Sequence, residues 1–317
     1  MGKPRNTIPE YLRKLTLTDH RVVLVEGTTD KRILAKLVNG LAADDLIGAG
    51  DLVIDTAEEL ESPQGQTMGN REKVEAVINT LPPAVGHRTI IGFVDREFRE
   101  FHMAAVVEDK LATHFTSGRL IWSRGHSIEN YFFDAQCLEA TFRALTPPEF
   151  QRRTWVAFRE LFPSVLLSAA SVALAGRDLC NIRRVASTIN WECLGIIGNE
   201  IAVNTAQWRP RLLQVWPAAD ADKVIERYEH WKGVLEHSSG EVVRWLTHGH
   251  VGFCMIWHSY ARCAFEVSGG DARVPERIVS VREDVRINLC ADSWVQRVAA
   301  NTAPYPDVLM KVLGVTK

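Results

Sequence analysis

Short apolar runs alternate with longer amphipathic stretches over roughly the first 145 residues of the chain. The run RVVLVE (21–26) is predicted to form a strand, and the stretch that follows it (30–41) carries apolar residues at helical spacing. The pair Asn39-Gly40 is predicted to end this helix. The chain therefore begins as a strand followed by an amphipathic helix.

The same alternation repeats further along the chain. DLVIDTA (51–57), RTIIGFVD (88–95) and RLIWS (119–123) are predicted strands, and REKVEAVINTL (71–81) is a predicted amphipathic helix that stops at a Pro-Pro pair. Strands separated by helices indicate parallel β/α units, with the helices covering the sheet. The predicted fold class is α/β, with a parallel sheet flanked by helices.

The pattern changes after Pro147-Pro148, where strand-like runs become scarce and eight of the nine tryptophans occur beyond residue 150. Helices are predicted over 155–161, 221–235 and 240–264. We therefore predict an α/β catalytic domain over 1–145. A mainly α-helical C-terminal region over 146–317 would serve dimerisation or partner contacts.

Composition excludes several classes of protein. The 317 residues are 46% hydrophobic and 24% charged, with a formal net charge of -2, which is typical of a globular chain and not of a disordered or fibrous one. A protein that coats nucleic acid usually has an excess of basic residues, and this chain has none. A nuclease that acts through metal ions does not need such an excess. The six cysteines show no CxxC spacing and follow no signal peptide, so we expect reduced thiols and a cytoplasmic location. The apolar stretch 165–175 is predicted to be too short to span a membrane.

Acidic residues stand where two predicted strands end. Glu26 closes the first strand, with Asp30 one turn into the next helix, and Asp95 and Glu97 close the third. The carboxyl ends of parallel strands meet at one edge, where carboxylates repel one another unless a divalent cation lies between them. The pattern predicts a Mg²⁺ or Mn²⁺ site formed by Glu26, Asp95 and Glu97, with Asp30 as a further candidate ligand. Alternatively, Asp30 or Asp95 alone would be an ordinary helix cap.

Two of these segments resemble a known family. VEGTTDKRIL, followed about 60 residues later by IGFVDREF, is similar to the TOPRIM domain of topoisomerases, primases and OLD-type nucleases. In that family a glutamate after the first strand and an Asp-x-Asp after the third bind Mg²⁺, and the resemblance assigns these roles to Glu26, Asp95 and Glu97. Glu97 departs from the pattern, since it stands where the family has aspartate and carries a longer arm.

Two further segments narrow the resemblance. GNREKVEAVI (69–78) resembles a glycine-led segment before the third strand, and GHSIENYFF (125–133) resembles the signature of TOPRIM effectors paired with ATPases, the AriB type of PARIS anti-phage systems. The resemblance covers about residues 20–135. It implies a toxic effector of abortive infection, held by an ABC-type ATPase and released when a phage protein is sensed. Such an effector acts as a homodimer on nucleic acid, with host RNA such as tRNA favoured over DNA.

The HSIEN segment also has an interpretation of its own. His126 and Glu129 are three residues apart and would share one face of a helix near the same sheet edge. Glu129 would complete the metal shell or hold a water, and His126 would contact phosphate or transfer a proton. Alternatively, the segment is a helix start in which Ser127 caps and Asn130 bonds to backbone.

Other polar residues carry weaker predictions. Lys73 and Arg71 are candidates for binding the scissile phosphate, or are solvated charges on a helix flank. The histidines and cysteine of THGHVGFCMIWH (247–258) are predicted to pack in the core, because their spacing does not suit a metal site.

The leading hypothesis is a Mg²⁺-dependent nuclease. A topoisomerase is disfavoured because no tyrosine lies in a recognisable gate domain, and a primase because no zinc module is present. The alternatives are a DNA-nicking OLD-like nuclease and a non-catalytic TOPRIM-like regulatory or binding module. A phospho-acceptor receiver is excluded by the HSIEN segment and the helical extension.

Overall fold

A computed structural model describes residues 5–43, 52–63, 67–81, 89–111 and 113–314. The chain divides into two compact units, each built from separate segments. We call them the sheet unit (Met1–Arg96, Leu111–Ile128 and Trp294–Lys317) and the helical unit (Glu97–Lys110 and Glu129–Ser293).

The strands, in chain order, are β1 (Asn6–Thr7), β2 (Arg21–Val25), β3 (Leu52–Thr56), β4 (Leu60–Glu61), β5 (Ile90–Val94), β6 (Phe101–Met103), β7 (Val107–Asp109), β8 (Thr116–Ser117), β9 (Leu120–Trp122), β10 (Leu194–Ile197) and β11 (Glu200–Val203). The helices are α1 (Ile8–Leu17), α2 (Thr28–Ala43), α3 (Asn70–Asn79), α4 (Ala135–Leu145), α5 (Pro148–Asp178), α6 (Ile182–Ala186), α7 (Thr205–Leu212), α8 (Ala218–Glu236), α9 (Gly240–Leu246), α10 (Gly249–Val267), α11 (Arg273–Val279), α12 (Glu283–Ala299) and α13 (Asp307–Val312). Short 3-10 turns cover Ala57–Glu59, Ile128–Phe132 and Trp191–Cys193.

A five-stranded sheet in the order β3-β2-β5-β9-β8 forms the centre of the sheet unit. β3, β2, β5 and β9 run parallel, and β8 pairs antiparallel with β9. All five residues of β5 are buried, although alternate side chains of a strand point to opposite faces. Both faces of this strand are therefore covered, as its continuous apolar sequence indicates. The four predicted strands and the α/β class with a parallel sheet are confirmed.

The prediction that α2 stops at Asn39-Gly40 is wrong, because the helix continues to Ala43. Gly40 packs directly against the Val295 side chain of α12, and a Cβ at Gly40 would overlap Val295 Cγ1. The glycine therefore permits a close approach between two helices, which favours its retention inside α2 despite its low helix propensity.

The helical unit is organised around α5, which packs against α10, α8, α6, α4 and α9. α5 extends well beyond the predicted 155–161. By length and composition alone α5 is able to cross a membrane, but 61% of its most apolar 18-residue stretch is buried within the protein. We interpret α5 as a core helix.

Two further helices predicted in this region can be compared with the structure. The one over 221–235 corresponds to α8, whereas the one predicted over 240–264 is interrupted at Thr247-His248 and forms α9 and α10. The β10–β11 hairpin has no counterpart in the prediction. The mainly α-helical character of the C-terminal region is confirmed.

The two units differ from the predicted division at residue 145. Residues 129–145 belong to the helical unit, and 294–317 return to the sheet unit. Within the sheet unit, Arg21 donates a hydrogen bond to the Leu313 carbonyl, and His114 Nδ1 lies 3.5 Å from Asp307 Oδ1. These contacts attach the last helix to the sheet unit. The boundary at residue 145 was predicted from a change in pattern along the sequence, and such a change does not show that the end of the chain returns to the first unit.

Candidate active site

The carboxyl ends of β2 and β5 lie side by side in the sheet, with Val25 in register with Phe93. Glu26 follows the first of these strands and Asp95 the second. Glu26 Oε1 accepts a hydrogen bond from the backbone N–H of Asp95 at 2.8 Å, and both residues are half-buried. The structure thus brings these two predicted site residues into direct contact at one edge of the sheet.

Arg71 of α3 supports the backbone at Asp95. Its guanidinium donates to the Asp95 carbonyl oxygen, its Nε donates to Glu75 Oε1 at 2.8 Å, and it lies 5.1 Å from the Trp122 ring centroid. Only 7% of Arg71 is exposed. Its prediction as a solvated charge is therefore wrong, and its role in substrate binding stays a prediction.

Arg96, which the sequence reasoning did not single out, is fully buried directly after Asp95. Its backbone N–H donates to Ser123 Oγ at 3.0 Å, and its guanidinium donates to the Arg124 carbonyl at 3.1 Å. The Ser123 N–H donates to the Val94 carbonyl at 2.8 Å. These bonds fix the chain after β5 to the chain after β9, and they place a desolvated positive charge beside the acidic edge.

Asp30 and Glu58 hold the start of α2. Asp30 Oδ2 accepts from the Gly27 N–H at 2.9 Å, and Glu58 Oε2 accepts from the Thr28 N–H at 3.2 Å. Carboxylates suit this position, because the N-terminal end of a helix carries a positive partial charge and unpaired N–H groups. The capping alternative for Asp30 is thus confirmed. Glu58 was missed, although its place just after β3 puts it at the same sheet edge.

Lys73 is directed into the sheet unit. Its Nζ donates to the Leu60 carbonyl at 2.8 Å, and only 7% of the residue is exposed. Burial, together with the charge of Arg5, lowers the pKa of the Lys73 ammonium. Its prediction as a solvated charge is wrong, and the substrate-binding role would require it to leave this carbonyl.

Glu97 is the first residue of the helical unit, and its side chain is about half exposed. Its backbone has a φ of 55°, in the left-handed region that few non-glycine residues adopt. The carboxylate forms an ion pair with Arg99 at 2.7 Å. Its role as a metal ligand stays a prediction.

Glu129 is 6% exposed in the helical unit. His250 of the same unit has a raised pKa, first because its ring bonds to Glu283 at 2.9 Å, and also because the Glu129 carboxylate acts on it. The catalytic role of Glu129 stays a prediction.

Asn130 joins the HSIEN segment to the end of α9. Its side-chain amide donates to the Arg244 carbonyl at 2.7 Å and to the Thr247 carbonyl at 2.8 Å. Arg244 in turn donates to the Tyr131 carbonyl at 3.0 Å, and burial lowers the pKa of its guanidinium. The alternative in which Asn130 bonds to backbone is confirmed.

His126 belongs to the sheet unit and is 6% exposed. The 3-10 turn begins only at Ile128, so His126 precedes it. The prediction that His126 and Glu129 share a helical face is therefore wrong. Contact with phosphate or proton transfer by His126 stays a prediction.

The histidines of 247–258 have two different environments. Burial lowers the pKa of His248 and of His258 to about 4, which keeps both neutral. His250 instead lies at the surface in its pair with Glu283. His248, Cys254 and His258 are partly buried, and His250 is exposed, so the prediction of core packing is wrong for His250.

No family model matches this chain. A comparison with curated proteins likewise finds no significant match.

The donor set at the sheet edge suits a hard cation. Mg²⁺ usually binds through one or two carboxylates together with waters and substrate phosphates, and Glu26 and Asp95 supply two carboxylates at adjacent strand ends. Within the described part of the chain, no group of three or more His, Cys, Asp or Glu side chains is arranged to hold a metal. A cation here would thus take its remaining ligands from water and substrate.

Proposed function

We propose that this protein is a Mg²⁺-dependent nuclease of the TOPRIM type, with Mn²⁺ able to substitute. The observation that carries the proposal is the hydrogen bond between the Glu26 carboxylate and the Asp95 backbone, at the ends of two adjacent parallel strands. Ligands at this edge of an open α/β sheet are held by the residues that follow the strands. Oxygen donors in this position suit a metal ion and a phosphodiester.

Each residue has a defined task in this proposal. Glu26 and Asp95 hold the cation, which when bound supplies an activated water and neutralises the leaving oxygen. Arg71 fixes the Asp95 carbonyl, so that the strand end keeps its position when substrate binds. Glu129 would hold a water, and His126 would contact phosphate or transfer a proton.

We further propose that the nuclease is a toxic effector of an anti-phage system. The support is the resemblance of residues 20–135 to TOPRIM effectors paired with ATPases, through VEGTTDKRIL, IGFVDREF and GHSIENYFF. In this proposal an ABC-type ATPase holds the protein inactive, and the released homodimer cuts host RNA such as tRNA in the cytoplasm. DNA nicking is the alternative activity.

The test is cleavage of total RNA and of plasmid DNA by purified protein with Mg²⁺, with the partner ATPase and trigger present in parallel reactions. Wild type should cut RNA, and both Glu26→Ala and Glu26→Gln should lose this activity. Glu26→Gln keeps an acceptor for the Asp95 N–H and removes only the charge. Glu59→Gln is the matched control, because Glu59 is an exposed carboxylate in the 3-10 turn after β3.

The outcomes separate the candidate functions. Equal cleavage by wild type and Glu26→Gln would refute the assigned site, and plasmid nicking without RNA cleavage would favour the DNA alternative. Absence of cleavage under every condition would favour a non-catalytic binding module. One observation favours that module: Glu97 is already paired with Arg99.

A further inference from the structure

A cavity of about 730 Å³ lies wholly within the helical unit. Its walls come from α6, the first two turns of α10 and the chain between α11 and α12. A volume of this size is in the range of small-molecule and cofactor sites. The residues that carry its charge are Arg183, His250, Arg282, Glu283 and Arg286.

The cavity carries an excess of positive charge, since three guanidiniums and an imidazole face one carboxylate. Arg183 is exposed, and within the described residues its side chain makes no hydrogen bond or ion pair. Arg282 pairs with Asp284 at 3.0 Å, and its side chain is 81% exposed. Such a pair contributes little to stability, so both guanidiniums are available to an anion.

The remaining positive groups are fixed in place by the fold. Arg286 donates to the Val279 and Val281 carbonyls and lies 5.2 Å from the ring centroid of a buried tryptophan. His250 lies in the first turn of α10, where the helix dipole is positive. Arg183 and His250 line the same cavity. The bond to Glu283 raises the pKa of the His250 imidazole, and the positive charge of Arg183 opposes part of this rise.

We propose that this cavity binds a phosphate group, carried by a single RNA strand or by a free nucleotide. Arginine is the preferred side chain for phosphate, because its planar guanidinium donates two parallel hydrogen bonds to the anion. The apolar part of the wall, at Phe253 and Val279, offers contact to a base or sugar.

This proposal does not rest on metal-dependent cleavage. Binding would be measured in EDTA by fluorescence anisotropy with a labelled short single-stranded RNA, and by calorimetry with ATP and with inorganic phosphate. Arg183→Gln and Arg282→Gln should each weaken binding about tenfold, because each removes a charge-assisted hydrogen bond. For RNA, the dependence of log affinity on log salt should become shallower by about 0.7 for each lost contact.

Arg273→Gln is the matched control. Arg273 is 87% exposed and pairs with Asp271 at 2.7 Å, two residues away, as Arg282 pairs with Asp284, but it does not line the cavity. Its substitution should leave affinity within about twofold of wild type. Because all three arginines are exposed, circular dichroism melts should be unchanged, so that any loss of binding is local.

The three probes distinguish the sources of the phosphate. RNA binding that both cavity variants weaken and that ATP does not displace supports the strand. ATP binding that Arg183→Gln and Arg282→Gln both weaken supports a free nucleotide. Failure of RNA, ATP and inorganic phosphate to bind, or an equal loss in Arg273→Gln, overturns the proposal. Loss of cleavage in Glu26→Gln with RNA binding retained in EDTA would show that the two proposals are independent.

Discussion

The substitution Asn130→Ala tests whether this residue of the HSIEN segment is structural. Asn130 is fully buried, and its amide donates to two carbonyls that end α9, those of Arg244 and Thr247. Each such bond contributes about 0.5–1.5 kcal/mol net, and its loss leaves a desolvated carbonyl without that donor. We expect a decrease of about 2–4 kcal/mol in the free energy of unfolding.

The measurement is urea unfolding followed by tryptophan fluorescence, with the midpoint and the slope fitted separately for each transition. Asn130→Asp keeps the size of the side chain but removes both donors and places a charge against two carbonyls, so it should destabilise at least as much as alanine. A stability within about 0.5 kcal/mol of wild type, combined with loss of activity, would refute the structural role and assign Asn130 to the chemistry.

Three further predictions follow from contacts within the units. Gly252→Ala should cost at least about 2 kcal/mol of stability, because its new Cβ would lie 2.5 Å from ring atoms of the buried Phe133; thermal unfolding would show this, and an unchanged Tm would contradict it. Gly27→Ala should lower activity more than stability, because its Cβ would lie 3.2 Å from Glu58 Oε1 and 3.4 Å from Asp30 Oδ2, next to Glu26. Activity equal to that of wild type would contradict this prediction. The pair His250–Glu283 raises the imidazole pKa and lowers the carboxyl pKa, so it stabilises fully between the ordinary values of about 4.5 and 6.5. This stabilisation is lost as Glu283 protonates at lower pH and as His250 deprotonates at higher pH. His250→Gln should therefore cost most in that window, less than about 1 kcal/mol because both groups are exposed, and a pH-independent cost in urea unfolding would contradict the assignment.

The two central strands, β2 and β5, were predictable because each is a continuous apolar run followed by an acidic residue. Glu26 and Asp95 could be paired from sequence, since parallel strands end at one edge. The role of Gly40 could not be foreseen, because a glycine that permits a helix contact has the same local pattern as one that ends a helix. The partner, Val295, is more than 250 residues away in the chain.

The polar supports of the site were harder to predict. Arg96 lies between two candidate ligands, yet its contacts with Ser123 and Arg124 depend on the pairing of β5 with β9. Glu58 could have been found, since it follows a predicted strand at the same edge. The break between α9 and α10 depends on Asn130, which satisfies the Thr247 carbonyl from more than 100 residues away. Such long-range hydrogen bonds have no periodic pattern in the sequence.

Glu26 and Asp95 are proposed to form a divalent cation site at the carboxyl ends of β2 and β5. Titration with Mn²⁺, with free Mn²⁺ followed by electron paramagnetic resonance, measures it without substrate or partner. Wild type should bind Mn²⁺ and release it to excess Mg²⁺, and Glu26→Gln and Asp95→Asn should each weaken binding by at least about tenfold, whereas Glu59→Gln should not. Equal Mn²⁺ affinity in wild type, Glu26→Gln and Asp95→Asn would contradict a cation site at these two residues.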